Sequence, residues 1–331
     1  MKVLLTGASG FIGFHVTRLL REAGVQVRAL VRRTSPLADL RELGVELFFG
    51  DIRDAAAVSD SMRGCEQVYH VAADYRLWVP DPRSMYAVNV AGTENVMRAA
   101  LECGVSRVVY TGSVGTLAAS VNGRVAHEQT PVALSDMVGH YKRSKFLAKQ
   151  VVDRYAARGL SVVTVHPTTP VGPMDVKPTP TGRIIVDFVN GRMPAYLDTG
   201  LNFVDVRDVA AGHLLAARRG RRGRAYILGH RNMTLRRFFG LLSDVTGRRP
   251  PRIRLPYGPL LAAACLNEAF SRLSGIAPVI PLTGVRMARK YMYFDSRRAV
   301  NELGFVQHPV EFAVAAAVDW FRRRGYVVKG R

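Results

Sequence analysis

From residue 1 to about residue 165, short apolar runs alternate with longer stretches whose apolar positions recur every three to four residues. The runs at Val3 to Leu5, Val27 to Val31, Val45 to Phe49, Val68 to Val71, Val108 to Tyr110 and Val162 to Val165 predict strands. They are apolar at consecutive positions, as strands covered on both faces must be. Amphipathic helices are predicted to begin near Gly10, Pro36, Asp54, Ser84 and Gly139, with Ser35 as N-cap before Pro36, and with stops at Gly24, Gly44 and Gly104. Strand and helix in strict alternation predict an α/β fold, a Rossmann-type doubly wound parallel sheet. After His166 to Pro173 the regularity lapses, and Ala225 to Leu228 and Arg252 to Leu255 read as short strands among helices. The division predicted is a unit over 1–170 with a returning segment near 200–230, and a smaller mixed α/β region over 171–331. Asn202 to Ala211 is the stretch expected at the edge of the main sheet.

Between the first strand and first helix lies Thr6-Gly-Ala-Ser-Gly-Phe-Ile-Gly13. A side chain at Gly7 or Gly10 would keep the backbone from a pyrophosphate, and Gly13 allows helix and strand to pack closely, so Gly7, Ser9, Gly10, Phe11, Ile12 and Gly13 form a candidate dinucleotide seat. NAD sites place an acidic residue at the end of the second strand. This chain has Arg32 and Arg33 there, which suit the 2′-phosphate of NADP better than NAD. Asp51 and Ile52 should face the adenine, and Ala72 and Ala73 should line the pyrophosphate crevice.

Tyr141 and Lys145, one helical turn apart, form a proton-transfer pair when a hydroxyl joins them, and Ser113 stands where the fifth strand would deliver one. A phenol of ordinary pKa near ~10 needs a neighbouring cation to act near neutrality. In reduction Tyr141 would protonate a carbonyl oxygen held by Ser113, while Lys145 grips the nicotinamide ribose. The chemistry expected is hydride transfer.

Composition narrows this further. With 331 residues, 48% of them hydrophobic, the chain can bury a large core. Its amino-terminal residues enter a strand directly, so a cytoplasmic protein without a secretory leader is expected. Cys65, Cys103 and Cys265 lack paired spacing, and His70, His127 and His166 read as structural, so no metal is predicted. The net charge of +21 fits an anionic ligand, an acidic membrane surface or nucleic acid. No nucleic-acid-binding motif accompanies it, which leaves the solvated end of a helix at Arg218 to Arg224, or peripheral association with the inner face of an acidic membrane.

The motifs Thr6 to Gly13, Asp51, Asn89-Val-Ala-Gly-Thr93, Thr111-Gly-Ser113, Tyr141-x-x-x-Lys145 and His166-Pro167 together resemble the extended short-chain dehydrogenase/reductases, of the NAD-dependent epimerase/dehydratase group. The resemblance implies that Asn89 belongs to the helix on the cofactor side of the active site and that Pro167 and Thr169 touch the nicotinamide end. Within that family, Ala72 to Pro82, Gly139 to Leu147, Lys177 to Ile185 and Gly284 to Arg289 are similar to the hopanoid-associated sugar epimerases, relatives of dihydroflavonol 4-reductase. This implies a sugar or lipid-linked substrate and a place beside hopanoid biosynthesis. The loop Asp74 to Arg83 would cover that substrate through Asp74, Tyr75, Arg76 and Trp78, with Lys177, Arg183 and Tyr196 on the opposite wall.

Two departures set a net ketone reductase beside the epimerase. Leu201-Asn-Phe-Val-Asp205 lacks the arginine with which nucleotide-sugar epimerases hold a diphosphate, and Arg32-Arg33 suits an exchangeable NADP. A third reading is a binding protein that senses NAD(P) without turnover. Pairing of the helices Thr93 to Leu101 and Lys142 to Tyr155 across a two-fold axis would make a homodimer.

Overall fold

The computed structural model describes residues 1–118 and 125–327. Seven strands form the central sheet: β1 (Lys2–Thr6), β2 (Gln26–Val31), β3 (Glu46–Phe49), β4 (Gln67–His70), β5 (Arg107–Thr111), β6 (Val162–Pro167) and, later in the chain, β10 (Ala225–Leu228). Their order is β10-β6-β5-β4-β1-β2-β3, and every neighbouring pair is parallel. The chain winds outward through β2 and β3, then returns to lay β4 against the other side of β1. That reversal opens a crevice beyond the carboxyl ends of β1 and β4.

Alternate side chains of β1 feed two cores, which is why its apolar run is unbroken. Val3 and Leu5 join one core with Val16, Leu20, Val209 and Ala216, beneath α1 (Phe11–Glu22) and α8 (Val206–Arg219). Leu4 joins the other with Val58, Met97, Ala148 and Val152, from α3 (Ala55–Met62), α5 (Gly92–Glu102) and α6 (Gly139–Ala157).

A three-stranded sheet, order β11-β9-β7, adjoins the first: β7 (Thr169–Val171), β9 (Gly200–Asp205) and β11 (Arg231–Thr234). A parallel pair joins β8 (Ala195–Leu197) to β12 (Ile253–Leu255). An aromatic core including Phe188, Phe203, Phe238, Phe239, Trp320 and Phe321 is shared by α7 (Pro180–Val189), α9 (Leu235–Thr246) and α12 (Val310–Arg323). The remaining helices are α2 (Ala38–Glu42), α4 (Pro82–Tyr86), α10 (Tyr257–Ser274) and α11 (Leu282–Ala288).

Two expectations are corrected. Asn202 to Ala211 does not reach the main sheet: β9 pairs with β7 and β11, α8 follows directly, and β10 takes the sheet edge against β6. β7 begins two residues after β6 ends and leaves the main sheet, and β9 pairs with it in the separate three-stranded sheet. The second helix starts at Ala38, after Leu37, and not at Pro36, because a bond from Ser35 N–H to the Arg32 carbonyl (3.0 Å) has already closed a turn there.

The arginine run closes α8. Arg219 donates to the Leu303 carbonyl, Arg222 to that of Ala156, and Arg221 pairs with Glu302 at 3.8 Å. These groups precede β10 and so stand at the end of the sheet opposite the crevice.

Gly13 is the tightest point of the strand-turn-helix unit, since a Cβ there would lie 2.0 Å from the backbone oxygen of Gly7. Gly13→Ala should therefore cost about 1–3 kcal/mol or more. Gly240→Ala, in the interior of α9 where the added methyl meets nothing within 4 Å, should gain about 0.5–1 kcal/mol. Urea unfolding of the two variants measures both signs.

Candidate active site

The crevice is shaped by backbone. Gly7 adopts φ +79°, and a Cβ on it would stand 2.6 Å from Ala72 N, so the ends of β1 and β4 touch only because no side chain intervenes. Gly10 is the N-cap of α1 and provides no side chain to cap it. The N–H groups of the first turn, at Phe11, Ile12 and Gly13, thus face the crevice mouth with the positive end of the helix dipole. Ser9, Phe11 and Ile12 are half-buried on its rim, as are Ala72 and Ala73 on the other side. Arg32 and Arg33 follow β2 and are exposed, Arg33 lying 5.4 Å over the Phe49 ring. Asp51 pairs with Arg53 at 2.8 Å, which holds its carboxyl below the usual range, and Arg32 adds to that effect. Ile52 is buried with a methyl where a Cβ of Gly92 would fall, at 2.8 Å. An uncapped helix end, a cradle that any side chain would fill and two exposed guanidinium groups fit a dinucleotide with its phosphates.

Beside this crevice, Ser113 leaves the end of β5 and Tyr141 enters on the first turn of α6. Burial raises the Tyr141 phenol above its ordinary pKa, and hydrogen bonding from the Ser113 hydroxyl opposes the rise. Lys145 is 3% exposed and donates to the Thr111 carbonyl at 2.8 Å, with its ammonium 4.6 Å over the Tyr110 ring. Burial lowers it to about 7. The group opposing the rise at Tyr141 in this structure is thus Ser113, while Lys145 is engaged one turn below.

His166 was expected to be structural, and its position shows what it supports. Its Nδ1 accepts the Ser113 N–H at 3.0 Å, so the proton of the neutral ring sits on Nε2, which is buried without a partner. Burial holds the ring at about 3, hence neutral. The ring fits only because position 112 is glycine: a Cβ there would lie 2.5 Å from Nδ1.

A buried chain of hydrogen bonds joins the seat to α6. Thr93 Oγ1 gives its proton to the Asn89 carbonyl (2.7 Å), so it accepts from His70 Nε2 at 3.0 Å. His70 Nδ1 must then accept from Thr6 Oγ1 at 2.7 Å, and that hydroxyl accepts from Ala72 N–H at 3.3 Å. Asn89, in a π-helical turn over Ala87–Ala91, donates to the Asp74 carbonyl (2.8 Å) and to Ser144 Oγ (2.9 Å), and Ser144 in turn bonds the Tyr141 carbonyl. Burial keeps His70 neutral, near 3. Asn89 therefore braces the loop and the helix, a role its motif alone does not disclose.

On the outer side, Asp74 is anchored by Asn89 and bonded to Arg76, Tyr75 reaches the Lys177 carbonyl at 3.4 Å, and Trp78 is half-buried. Burial raises the Tyr75 phenol, with Asp175, Asp74 and Tyr141 adding to the rise. Asp175 is a residue the motifs did not single out. Only 2% exposed, it accepts from Thr179 N–H and Oγ1, and burial pushes its carboxyl up to about 6. The Asp175-x-x-x-Thr179-Pro180 spacing before α7 is the signal for it. Pro167 is buried at the end of β6 and Thr169 half-buried at the start of β7, both beside the Ser113 end of β5. Lys177 and Arg183 are exposed, and Tyr196 packs edge-on against Phe239. Among the described residues no group of three His, Cys, Asp or Glu side chains is arranged to hold a metal.

The chain belongs to the NAD dependent epimerase/dehydratase family, whose pattern matches residues 3–229. It is 43% identical over 327 residues to a Synechocystis protein provisionally named dihydroflavonol 4-reductase, spanning 98% of this chain and 95% of that one. It is 36% identical over 329 residues to sterol demethylase protein B of Methylococcus capsulatus, spanning 99% and 100%. The crystal structure of gox2253 superposes with a TM-score of 0.89 at 45% identity, over 98% of this chain and 99% of that one. The protein is thus an NAD(P)-dependent oxidoreductase or epimerase of the extended short-chain type.

Lys145 sits at about 7 when folded and near ~10.4 when unfolded, so the unfolded chain binds more protons between those values. Stability contributed by this group is lowest at and below pH ~7 and rises with pH across the window by up to about 1.4 kcal/mol per unit. Lys145→Met should accordingly raise the Tm of the cofactor-free protein more at about pH 6.5 than at about pH 9.5. Equal gains at both would show that the amine is not desolvated.

Proposed function

We propose that this protein carries out net, NADP(H)-dependent interconversion of a ketone and a secondary alcohol on a sugar or lipid-linked polyol. The observation that carries net reduction over epimerisation is Leu201, which stands where nucleotide-sugar epimerases hold a diphosphate with arginine and packs its apolar side chain against the aromatic core, with no polar group beside it left to replace that arginine. Asn202 is 1% exposed, its amide donates to Asn232 Oδ1 (2.8 Å) and the Phe294 carbonyl (3.2 Å), and its oxygen accepts from His230 N–H (2.9 Å). Nothing of it is free to grip an anion. The nearby Arg207 is likewise committed, with two nitrogens on the Asp205 carboxylate.

In this reading Gly7 to Gly13 would hold the pyrophosphate and Arg32 and Arg33 the 2′-phosphate. NADPH, when bound, supplies the hydride. Tyr141 gives its phenolic proton to the oxygen that becomes the alcohol. Its raised pKa keeps it protonated across neutral pH, which suits an acid working in the direction of reduction. Ser113 donates to the same oxygen, and its main chain is held in place by His166. Lys145 would hold the nicotinamide ribose and favour the phenolate. Tyr75 and Asp175 border the substrate space, and the loop from Asp74 excludes water.

The family resemblance also favours a second reading, an epimerase of hopanoid-associated type that returns hydride to the carbon it left. Such an enzyme retains its nicotinamide through turnover. Gel filtration separates the two: cofactor that leaves the purified protein and exchanges with added NADPH supports reduction, and nicotinamide that stays bound supports epimerisation. Pairing of two copies through α5 and α6 belongs to the same proposal. A groove lined by Tyr86, Leu134, Arg143 and Leu147 lies on the α4 and α6 side of that face.

Tyr141→Phe should lower kcat by about 10²–10⁴-fold on any carbonyl substrate with little change in NADPH affinity. Full turnover in that variant would remove Tyr141 from the chemistry. Replacing Arg32 and Arg33 together by Ala should weaken NADPH at least tenfold while leaving NADH nearly unchanged, as read by fluorescence titration of the two cofactors.

A further inference from the structure

Helix α10 turns its apolar side to solvent. Ala262, Leu266, Ala269, Phe270 and Leu273 recur at helical spacing along its outer face, and the turn beyond adds Ile276 and Val279. Leu266 is 74% exposed, Leu273 90% and Val279 89%. Its buried positions are Ala264 and Ser271, and the helix packs on α11. This inverts the usual arrangement of a surface helix, and a contiguous strip of large exposed apolar residues marks a contact surface where scattered ones would not. The strip has a cationic border: Arg272 on the helix, Arg252 before it, and Arg286, Arg289 and Lys290 on and just after α11, all exposed. The helix has one carboxylate, Glu268, which is half-buried and paired with Arg272 at 3.6 Å.

We propose that this face docks the protein on the surface of an anionic phospholipid bilayer, with α10 lying in the plane of the head groups and Leu266, Phe270, Leu273, Ile276 and Val279 entering the acyl boundary. Among the described residues no helix is long and apolar enough to cross a membrane, so the helix lies on the bilayer and does not span it. Charge selects this occupant over a second copy of the chain. An isologous pair would bring the same arginines against one another across a two-fold axis, between chains of net charge +21 each, whereas an acidic lipid surface satisfies both the apolar strip and its border.

The placement has a consequence for the cleft. α11 packs on α10 and carries Thr283, whose Cγ2 lies 2.5 Å from where a Cβ of Gly139 would fall, two residues before Tyr141. Gly284 follows, and the Leu77 side chain of the covering loop lies 3.9 Å from where its Cβ would be. α11 thus links the helix that carries the proposed docking face to the start of α6 and to the covering loop, and resting α10 on a bilayer would bring the substrate space near lipid-borne alcohols or ketones. This last step rests on the proposed chemistry; the docking itself does not.

Flotation with vesicles tests it without reference to turnover. The full chain should bind vesicles of phosphatidylcholine with about 30% phosphatidylglycerol at low salt, bind pure phosphatidylcholine at least tenfold more weakly, and lose at least tenfold in affinity in high salt. The triple variant Leu266→Ser, Phe270→Ser, Leu273→Ser, unchanged in charge, should partition at least tenfold less while keeping the wild-type Tm, NADPH binding and mass by light scattering. A wild-type chain that stays in solution with both vesicles overturns the proposal, as does a triple variant that binds like wild type, since diffuse charge would then be the whole cause. A dimer lost in the variant would assign the face to a second copy and overturn it equally.

Discussion

The contact between the ends of β1 and β4 carries the rest of the site. At that point the parallel sheet reverses its winding, and Gly7 lets the backbone come so close to Ala72 that a single methyl would force the two apart. The same contact places Thr6 against His70, and from His70 a directed chain of buried hydrogen bonds runs through Thr93 and Asn89 to Ser144 on α6. The glycine turn and the Tyr141 phenol, separated by more than 120 residues of sequence, are in this way fixed to one backbone junction. Each polar group in the chain has a partner of the right sense, which the low dielectric around them demands.

Desolvation sets the electrostatics of the crevice. It drives Lys145 down to about 7, His70 and His166 to about 3, Asp175 up to about 6, and the Tyr141 phenol above its ordinary value. Burial has thus drawn these five groups towards their neutral forms, and a charged ligand entering the space meets a field that little water screens. The two histidines are withdrawn from proton transfer near neutrality. Their work is geometric: His166 fixes the main chain of Ser113, and His70 fixes the turn that carries Asn89.

The later part of the chain adds an outer layer to this frame. The aromatic core under α7, α9 and α12 holds that layer together, while α11 packs beside Gly139 and α10, packed on α11, exposes the strip that other helices bury.

By itself the sequence determined the parallel α/β frame, the glycine turn and the family, because these depend on patterns a few residues long: apolar runs at strand length, glycines at the turn from strand to helix, and Tyr141 and Lys145 one turn apart. It also carried the absence of arginine at Leu201 and its presence at Arg32 and Arg33. What only the tertiary structure decided involves partners distant in the chain. Thr6 and His70 are separated by 64 residues and Ser113 and His166 by 53, and no local spacing encodes either pair. The identity of the edge strand turned on a pairing distant in the chain, β9 with β7 and β10 with β6, which no local pattern distinguishes. The exposed face of α10 was hidden for the same reason: an apolar run reads alike whether a core or nothing covers it, and only packing tells which side of the helix the rest of the protein leaves bare.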